Sequence, residues 1–269
     1  MREKEETAKA TQRDGLLSRL LLIFGIILLA MALGIAGYLV WQYADAQLHY
    51  SHIQALARPE SSSSSPEGSD TYLEDLYFNW DELRLINPDI VAWVIVPGTN
   101  INYPVVQGDD NDFYLTHLFD ASYSGSGAIF ADCLGSPTLD AQNNIIYGHI
   151  MFDGSMFSDI LHYTGQDFFD QHRRVYLCTP AMNYELSAIA TLDIPWNTPI
   201  RQFDYTGEDD FRSYLREMLA TPVTATPDLS AQIANTEALY SLITCKTFNN
   251  GVNRIVLACV PVRSVVPRP

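Results

Sequence analysis

Residues 20–40 read LLLIFGIILLAMALGIAGYLV, an apolar run with no charged position. At about 1.5 Å of rise per residue a helix of that length spans roughly the 30 Å of a hydrocarbon core. The pattern then changes. Residues 42–57 mix polar and apolar positions without Gly or Pro and predict a continuing helical stalk. Residues 58–69, RPESSSSSPEGS, hold too few apolar groups to pack and predict a flexible linker. Tyr72, Leu73, Leu76, Tyr77, Trp80 and Leu83 recur at three- and four-residue spacing, which predicts an amphipathic helix ended by Asn87-Pro88. From there the pattern is that of short strands. They are predicted at 90–96, 101–106, 127–131, 144–147, 174–178, 184–192, 238–245 and 254–262. Helical pieces interrupt the series at 155–160 and 208–219, the second with Phe211, Tyr214, Leu215 and Met218 on one face. Residues 264–269 read as a disordered tail. Many short strands with turn signals between them predict a mainly β fold, a barrel or a sandwich.

Charge orients the apolar run. Arg2, Lys4, Lys9, Arg13 and Arg19 precede it, and the next basic residue after it is Arg58. The positive-inside bias puts the N-terminus in the cytoplasm and everything beyond Val40 outside. The run is longer than the roughly 7–15 residues of a signal-peptide core, which favours an uncleaved single-pass anchor. Trp41 and Tyr43 stand where an interfacial aromatic belt belongs. The domain plan is a cytoplasmic segment 1–19, an anchor 20–40, a stalk and linker 41–71, a folded domain 72–263 and a tail 264–269.

The net charge of −16 lies outside the anchor, with 11 basic against 27 acidic residues from position 46 onward. Such a surface argues against nucleic acid and against docking on anionic lipid. Solubility accounts for it; attraction of amine-bearing partners is the alternative. The run Asp109-Asp110-Asn111-Asp112 lacks the spacing of a calcium loop and reads as a solvated turn. Cys133, Cys178 and Cys259 match no metal-ligand pattern and read as buried thiols.

Cys245 differs from those three. It closes the apolar run Ser241-Leu242-Ile243-Thr244, and a turn-rich loop containing Asn250-Gly251 leads to Arg254 at the head of the next predicted strand. An antiparallel return brings the thiol and the guanidinium toward one end of a sheet, where positive charge favours the nucleophilic thiolate. By itself, a small buried apolar cysteine is the simpler reading. Among the histidines, His49 and His52 lie in the stalk, and His117, His162 and His172 sit in helical or polar contexts. His149 directly follows the strand 144–147 and Gly148, at a strand's end where functional side chains sit on a barrel rim.

Taken together, Tyr147-Gly148-His149, Leu242-Ile243-Thr244-Cys245 and Arg254 resemble the active-site signature of sortases, the cysteine transpeptidases of Gram-positive cell envelopes. Asn87-Pro88-Asp89-Ile90-Val91-Ala92-Trp93, Tyr103-Pro104-Val105-Val106-Gln107-Gly108 and Asn111-Asp112-Phe113-Tyr114-Leu115 are similar to stretches typical of class B, as is a helix at 208–219. The resemblance covers about 72–262. Ser241, Ile150 and Thr247 depart from the family's commoner residues, which bears on substrate choice and leaves the Cys–His–Arg set whole.

The resemblance implies a closed barrel of about eight strands, with an N-terminal helix and an inserted helix, held outside the membrane by its anchor. It implies His149, Cys245 and Arg254 as catalytic residues, with no cofactor and no metal. The expected partners are secreted proteins bearing a C-terminal sorting motif of the Leu-Pro-any-Thr-Gly type and an amine of a peptidoglycan precursor. A cysteine peptidase releasing acid to water, a pilin-polymerising sortase and a non-catalytic surface binding domain are the alternatives.

Overall fold

The computed structural model describes residues 2–57, 73–244 and 253–268. They fall into two compact units, Met1–Asp45 and Ala46–Pro269. The first is formed by the greater part of helix α1 (Arg2–Ala57). Its stretch Arg19–Tyr38 is long and apolar enough to cross a membrane. Leu20, Leu22, Phe24, Leu29, Leu33 and Ile35 are exposed there. A helix that is apolar on all faces and unburied is suited to an apolar surround.

In the second unit, nine strands are seen among the described residues: β1 (Ile90–Ile95), β2 (Asn102–Val106), β3 (Ile129–Ala131), β4 (Asn143–Gly148), β5 (Arg174–Cys178), β6 (Asn183–Pro195), β7 (Thr224–Ala225), β8 (Leu239–Thr244) and β9 (Asn253–Val265). They bond in the order β5-β1-β2-β3-β4-β8-β9-β6, and β6 returns to pair with β5. Eight strands therefore close into a barrel, which removes free sheet edges. The thirteen-residue β6 makes closure possible. One of its edges carries β9 from Asn183↔Val265 to Pro195↔Asn253. Its other edge pairs first with β5 and then, at Ala190 and Thr191, with the short β7.

Two pairings are parallel, β2 with β3 and β4 with β8. Strands β4 and β8 are buried at every position, including the polar Asn143, Asn144, Ser241 and Thr244. The core is aromatic. Trp93 stacks on Phe78 with centroids 4.9 Å apart, and its Nε1 donates to Asn102 Oδ1 at 2.7 Å.

Several local expectations are revised. The helix expected at 72–83 is split into a 3-10 turn (Leu73–Asp75) and helix α2 (Trp80–Ile86). Asn79 separates them. Its side chain accepts the Glu82 amide at the new N-terminus, and its own amide bonds to Ala57 O. A local cap thus overrides a continuous apolar period. The piece expected at 155–160 is a 3-10 helix at Ser158–Thr164. The helix expected at 208–219 is α4 once α3 (Gln166–Gln171) is counted; it spans Glu208–Met218, with Phe211 and Leu215 buried. A last short helix, α5, covers Leu229–Asn235. The start of the expected tail is strand, because Ser264 and Val265 pair with Tyr184 and Asn183. Cys178 and Cys259 are buried, but Cys133 is half-exposed.

The last three turns of α1 pack within the second unit. Ala46, Tyr50, Ile53 and Ala57 form one buried stripe at three- and four-residue spacing. Tyr50 donates its hydroxyl to Gly127 O at 2.9 Å and stands edge-on to Tyr103. Gln54 Nε2 donates to Asn102 O at 2.7 Å.

Candidate active site

His149 follows the last residue of β4 and is 5% exposed. Its Nε2 lies 2.7 Å from Leu115 O. A carbonyl only accepts, so the bond places a ring proton on Nε2 and holds the imidazole in one orientation. Two glycines are needed around this position, and one of them, Gly127, faces the ring itself. A side chain at Gly148 would put its Cβ 2.5 Å from Ile129 Cδ1 and 2.7 Å from the Phe157 ring. At Gly127, with φ +59°, a Cβ would lie 2.6 Å from Tyr114 O, 2.8 Å from Leu115 O and 3.0 Å from the His149 ring.

Leu115, which orients the imidazole, is itself held from behind. It ends the 3-10 turn Phe113–Leu115. Next to it, Tyr114 is buried and donates its hydroxyl to Asp89 Oδ2 at 2.7 Å while accepting from Asn87 Nδ2 at 2.8 Å. The same Asn87 amide donates to Phe119 O at 2.6 Å. Burial, with the neighbouring Asp89 carboxylate, pushes the Tyr114 phenol well above its ordinary pKa, so it stays a donor. The Asn87-Pro88-Asp89 and Asn111–Leu115 stretches, separate in sequence, therefore meet in one network behind His149.

The parallel register of β4 and β8 pairs Gly148 with Thr244. The residue before His149 thus partners the residue before Cys245. Cys245 itself, and the loop to Val252, lie outside the described residues. Strand β9 resumes at Asn253, and Arg254 pairs with Ile194 of β6. The guanidinium carbon of Arg254 lies 6.0 Å from the centroid of the Tyr147 ring, a cation–π distance. Its Nε is buried and has no hydrogen-bond partner among the described residues.

Arg254 and Tyr147 line a cleft of about 240 Å³ together with Asn111, Asp112, Leu115, Phe130 and Arg201. Its lining is mainly apolar and includes two guanidinium groups. A buried carboxylate, Asp132, ties three of the lining residues together. It takes Arg201 Nε at 2.6 Å and Nη2 at 2.8 Å, the Tyr147 hydroxyl at 2.9 Å, Asn111 Nδ2 at 3.1 Å and the Leu134 amide at 3.0 Å. Burial opposes its charge, but the Arg201 guanidinium and these other donors hold Asp132 below the ordinary carboxylate range. Burial and the adjacent Asp132 charge raise the Tyr147 phenol, which keeps its proton and donates.

Asp132, Arg201 and Asn111 were not legible as site residues. Asp132 carries the weak signal of an acid directly after a three-residue apolar strand; Arg201 carries none, being drawn in from the connection between β6 and α4. The turn expected to be solvated keeps Asp109, Asp110 and Asp112 exposed, but Asn111 turns inward. Among the described residues no group of three His, Cys, Asp or Glu side chains is arranged to hold a metal ion. His117 stacks on Phe113 at 4.0 Å, His172 stacks on Phe168 at 4.0 Å, and His162 is largely exposed.

No protein-family model matches the chain. It is 30% identical over 166 residues to Sortase B of Listeria monocytogenes, a match covering 62% of this chain and 66% of that protein. Its structure resembles a Staphylococcus aureus sortase B–substrate complex with TM-score 0.62 and 27% identity, covering 68% of this chain and 84% of that one. Sortase B from B. anthracis shares the fold with TM-score 0.69 at 24% identity, over 85% of this chain and 100% of that one.

Proposed function

Because this chain belongs to the class B sortases, a family of cysteine transpeptidases, we propose that it is a membrane-anchored transpeptidase acting on secreted proteins. Its substrates carry a C-terminal sorting motif of the Leu-Pro-any-Thr-Gly type. The acyl group passes through a Cys245 thioester to an amine of the cell wall. The observation that carries this reading is the register of β4 and β8, in which Gly148 and Thr244 are partners, with Arg254 on the Tyr147 ring beside them.

Each role follows from side-chain chemistry. The Cys245 thiolate attacks the threonyl carbonyl carbon, and the oxygen takes the negative charge. Arg254 keeps its charge at any working pH and donates to that oxyanion or to the substrate backbone. His149, as imidazolium, gives its Nδ1 proton to the departing amine, leaving the thioester, and later takes a proton from the incoming amine. The Leu115 bond at Nε2 supports this assignment by holding the ring in one orientation. The apolar stretch of α1 anchors the chain through residues 20–40, with the N-terminus cytoplasmic and the second unit outside. Tethered there, the enzyme shares a thin layer with membrane-held substrates, which raises effective concentration.

The test is turnover of a fluorogenic sorting peptide by the full-length chain in detergent, with and without a glycine oligomer as amine. Wild type forms a thioester detectable by mass spectrometry, and added amine diverts product from acid to amide. Cys245→Ala forms none, and Arg254→Lys is severely impaired because a point ammonium replaces a planar fork. Full turnover by Cys245→Ala would exclude the reading. Acid alone, whatever the amine, would identify a peptidase.

A further inference from the structure

Asp132 makes no contact that is free for a substrate. Its two oxygens receive five donors from four separate parts of the chain: the Arg201 fork, the Tyr147 hydroxyl, the Asn111 amide and the Leu134 backbone. A carboxylate offers about four lone-pair sites, so this one is saturated. It is 1% exposed, and a buried anion persists only where it is paired and fully hydrogen-bonded. What it holds is therefore more informative than the acid itself. Three of its partners, Tyr147, Asn111 and Arg201, line the cleft that Arg254 also lines.

The link to Arg254 runs through Tyr147. That ring is fixed at both ends, by its hydroxyl on Asp132 and by its place in β4 between Ile146 and Gly148. Its face carries the Arg254 guanidinium, whose Nε is buried without a hydrogen-bond partner among the described residues. The ring is thus a platform for a cation whose Nε finds no hydrogen-bond partner among the described residues. Charge matters as well. The Asp132–Arg201 pair is bidentate and close to neutral, so it neither attracts Arg254 strongly nor repels it. Removing the carboxylate charge would leave the Arg201 guanidinium without its ion-pair partner in the same cleft.

We propose that Asp132 is a positioning residue: through Tyr147 and Arg201 it sets the place and the electrostatic freedom of Arg254, without touching substrate. The proposal rests on the functional reading of Arg254 above for its catalytic consequence, but its structural half can be measured without turnover.

The experiment uses the full-length chain in detergent and two variants, Asp132→Asn and Tyr147→Phe. Asp132→Asn is nearly isosteric and removes the charge; Tyr147→Phe removes only the hydroxyl and leaves the ion pair. The first readout is the rate at which phenylglyoxal labels Arg254, resolved by peptide mass spectrometry. The second is kcat, counted per alkylatable Cys245 thiol in folded protein, and KM for a sorting peptide. Asp132→Asn is expected to raise Arg254 labelling several-fold and to lower kcat by roughly 10–100-fold with KM little changed, the pattern of a displaced transition-state contact. Tyr147→Phe should show the same two changes, smaller in size. Labelling of Arg254 at the wild-type rate in both variants overturns the proposal, as does a loss of activity matched by the loss of folded protein. If Asp132→Asn fails to fold, the labelling of Tyr147→Phe decides. If the wild type turns over no sorting peptide while labelling still rises in the variants, the assigned reaction fails and the positioning role stands.

Discussion

The Thr244 hydroxyl accepts the Ile255 amide at 2.9 Å and donates back to Ile255 O at 3.4 Å. Regular pairing of β8 with β9 runs only to Ile243↔Val256, so this one side chain extends the ladder by another step. It ties the residue before Cys245 to the residue after Arg254. Thr244→Val keeps the shape and removes the oxygen, leaving the Ile255 amide unpaired at a site where Thr244 is fully buried. The expected cost is about 1–3 kcal/mol of stability, read from urea unfolding. Turnover should fall by more than the lost folded fraction, because the strand ends that flank both functional positions are released.

Gly127→Ala tests the wall behind His149. At φ +59° an L side chain is strained, and the new Cβ would meet the Tyr114 and Leu115 carbonyl oxygens at 2.6 and 2.8 Å. The substitution should cost more than about 1 kcal/mol. Since Leu115 O orients the imidazole, kcat should also fall. A thermal melt and a turnover assay on one preparation would separate the two effects, and an unchanged kcat in folded protein would show that His149 tolerates movement of this wall.

A chain beginning at Ala46 should be markedly more stable than one beginning at Tyr72. The longer form keeps Tyr50 and Ile53, both buried, and each such side chain contributes roughly 1.5–3 kcal/mol on burial. Urea midpoints of the two would measure the difference. Equal midpoints would mean that the last turns of α1 add nothing to the barrel.

Acid should loosen the cleft in a predictable direction. The folded-state pKa of Asp132 lies below its unfolded value of about 3.9. Its ion pair therefore contributes stability that is fully present above that unfolded value and is lost as pH falls through the folded one. Wild-type stability should decline below about pH 4, and in Asp132→Asn this part of the decline should be missing. Unfolding midpoints across an acid series would show it, and parallel slopes for the two proteins would remove Asp132 from the account.

How far the sequence reached depends on how local each cause is. The apolar run at 20–40 needs no partner to be read, and neither does the succession of short strands. The closed barrel followed from the family likeness of short motifs, since pattern alone left barrel and sandwich open. The split helix after the linker was hidden because Asn79 acts through a cap that the apolar period masks.

At the candidate site, residue type and strand-end position made His149, Cys245 and Arg254 candidates, and the family likeness of the motifs around them joined the three into one set. The sequence could not say which carbonyl orients the imidazole, what ring supports Arg254, or that Asp132 gathers Arg201, Asn111 and Tyr147. Those relations join residues from fifteen to more than one hundred positions apart. They exist only once β3 and β4 pair and the connection after β6 folds back across the barrel. Composition and period are properties of neighbouring residues, whereas the saturation of a buried carboxylate is decided by which distant donors the closed sheet brings to it.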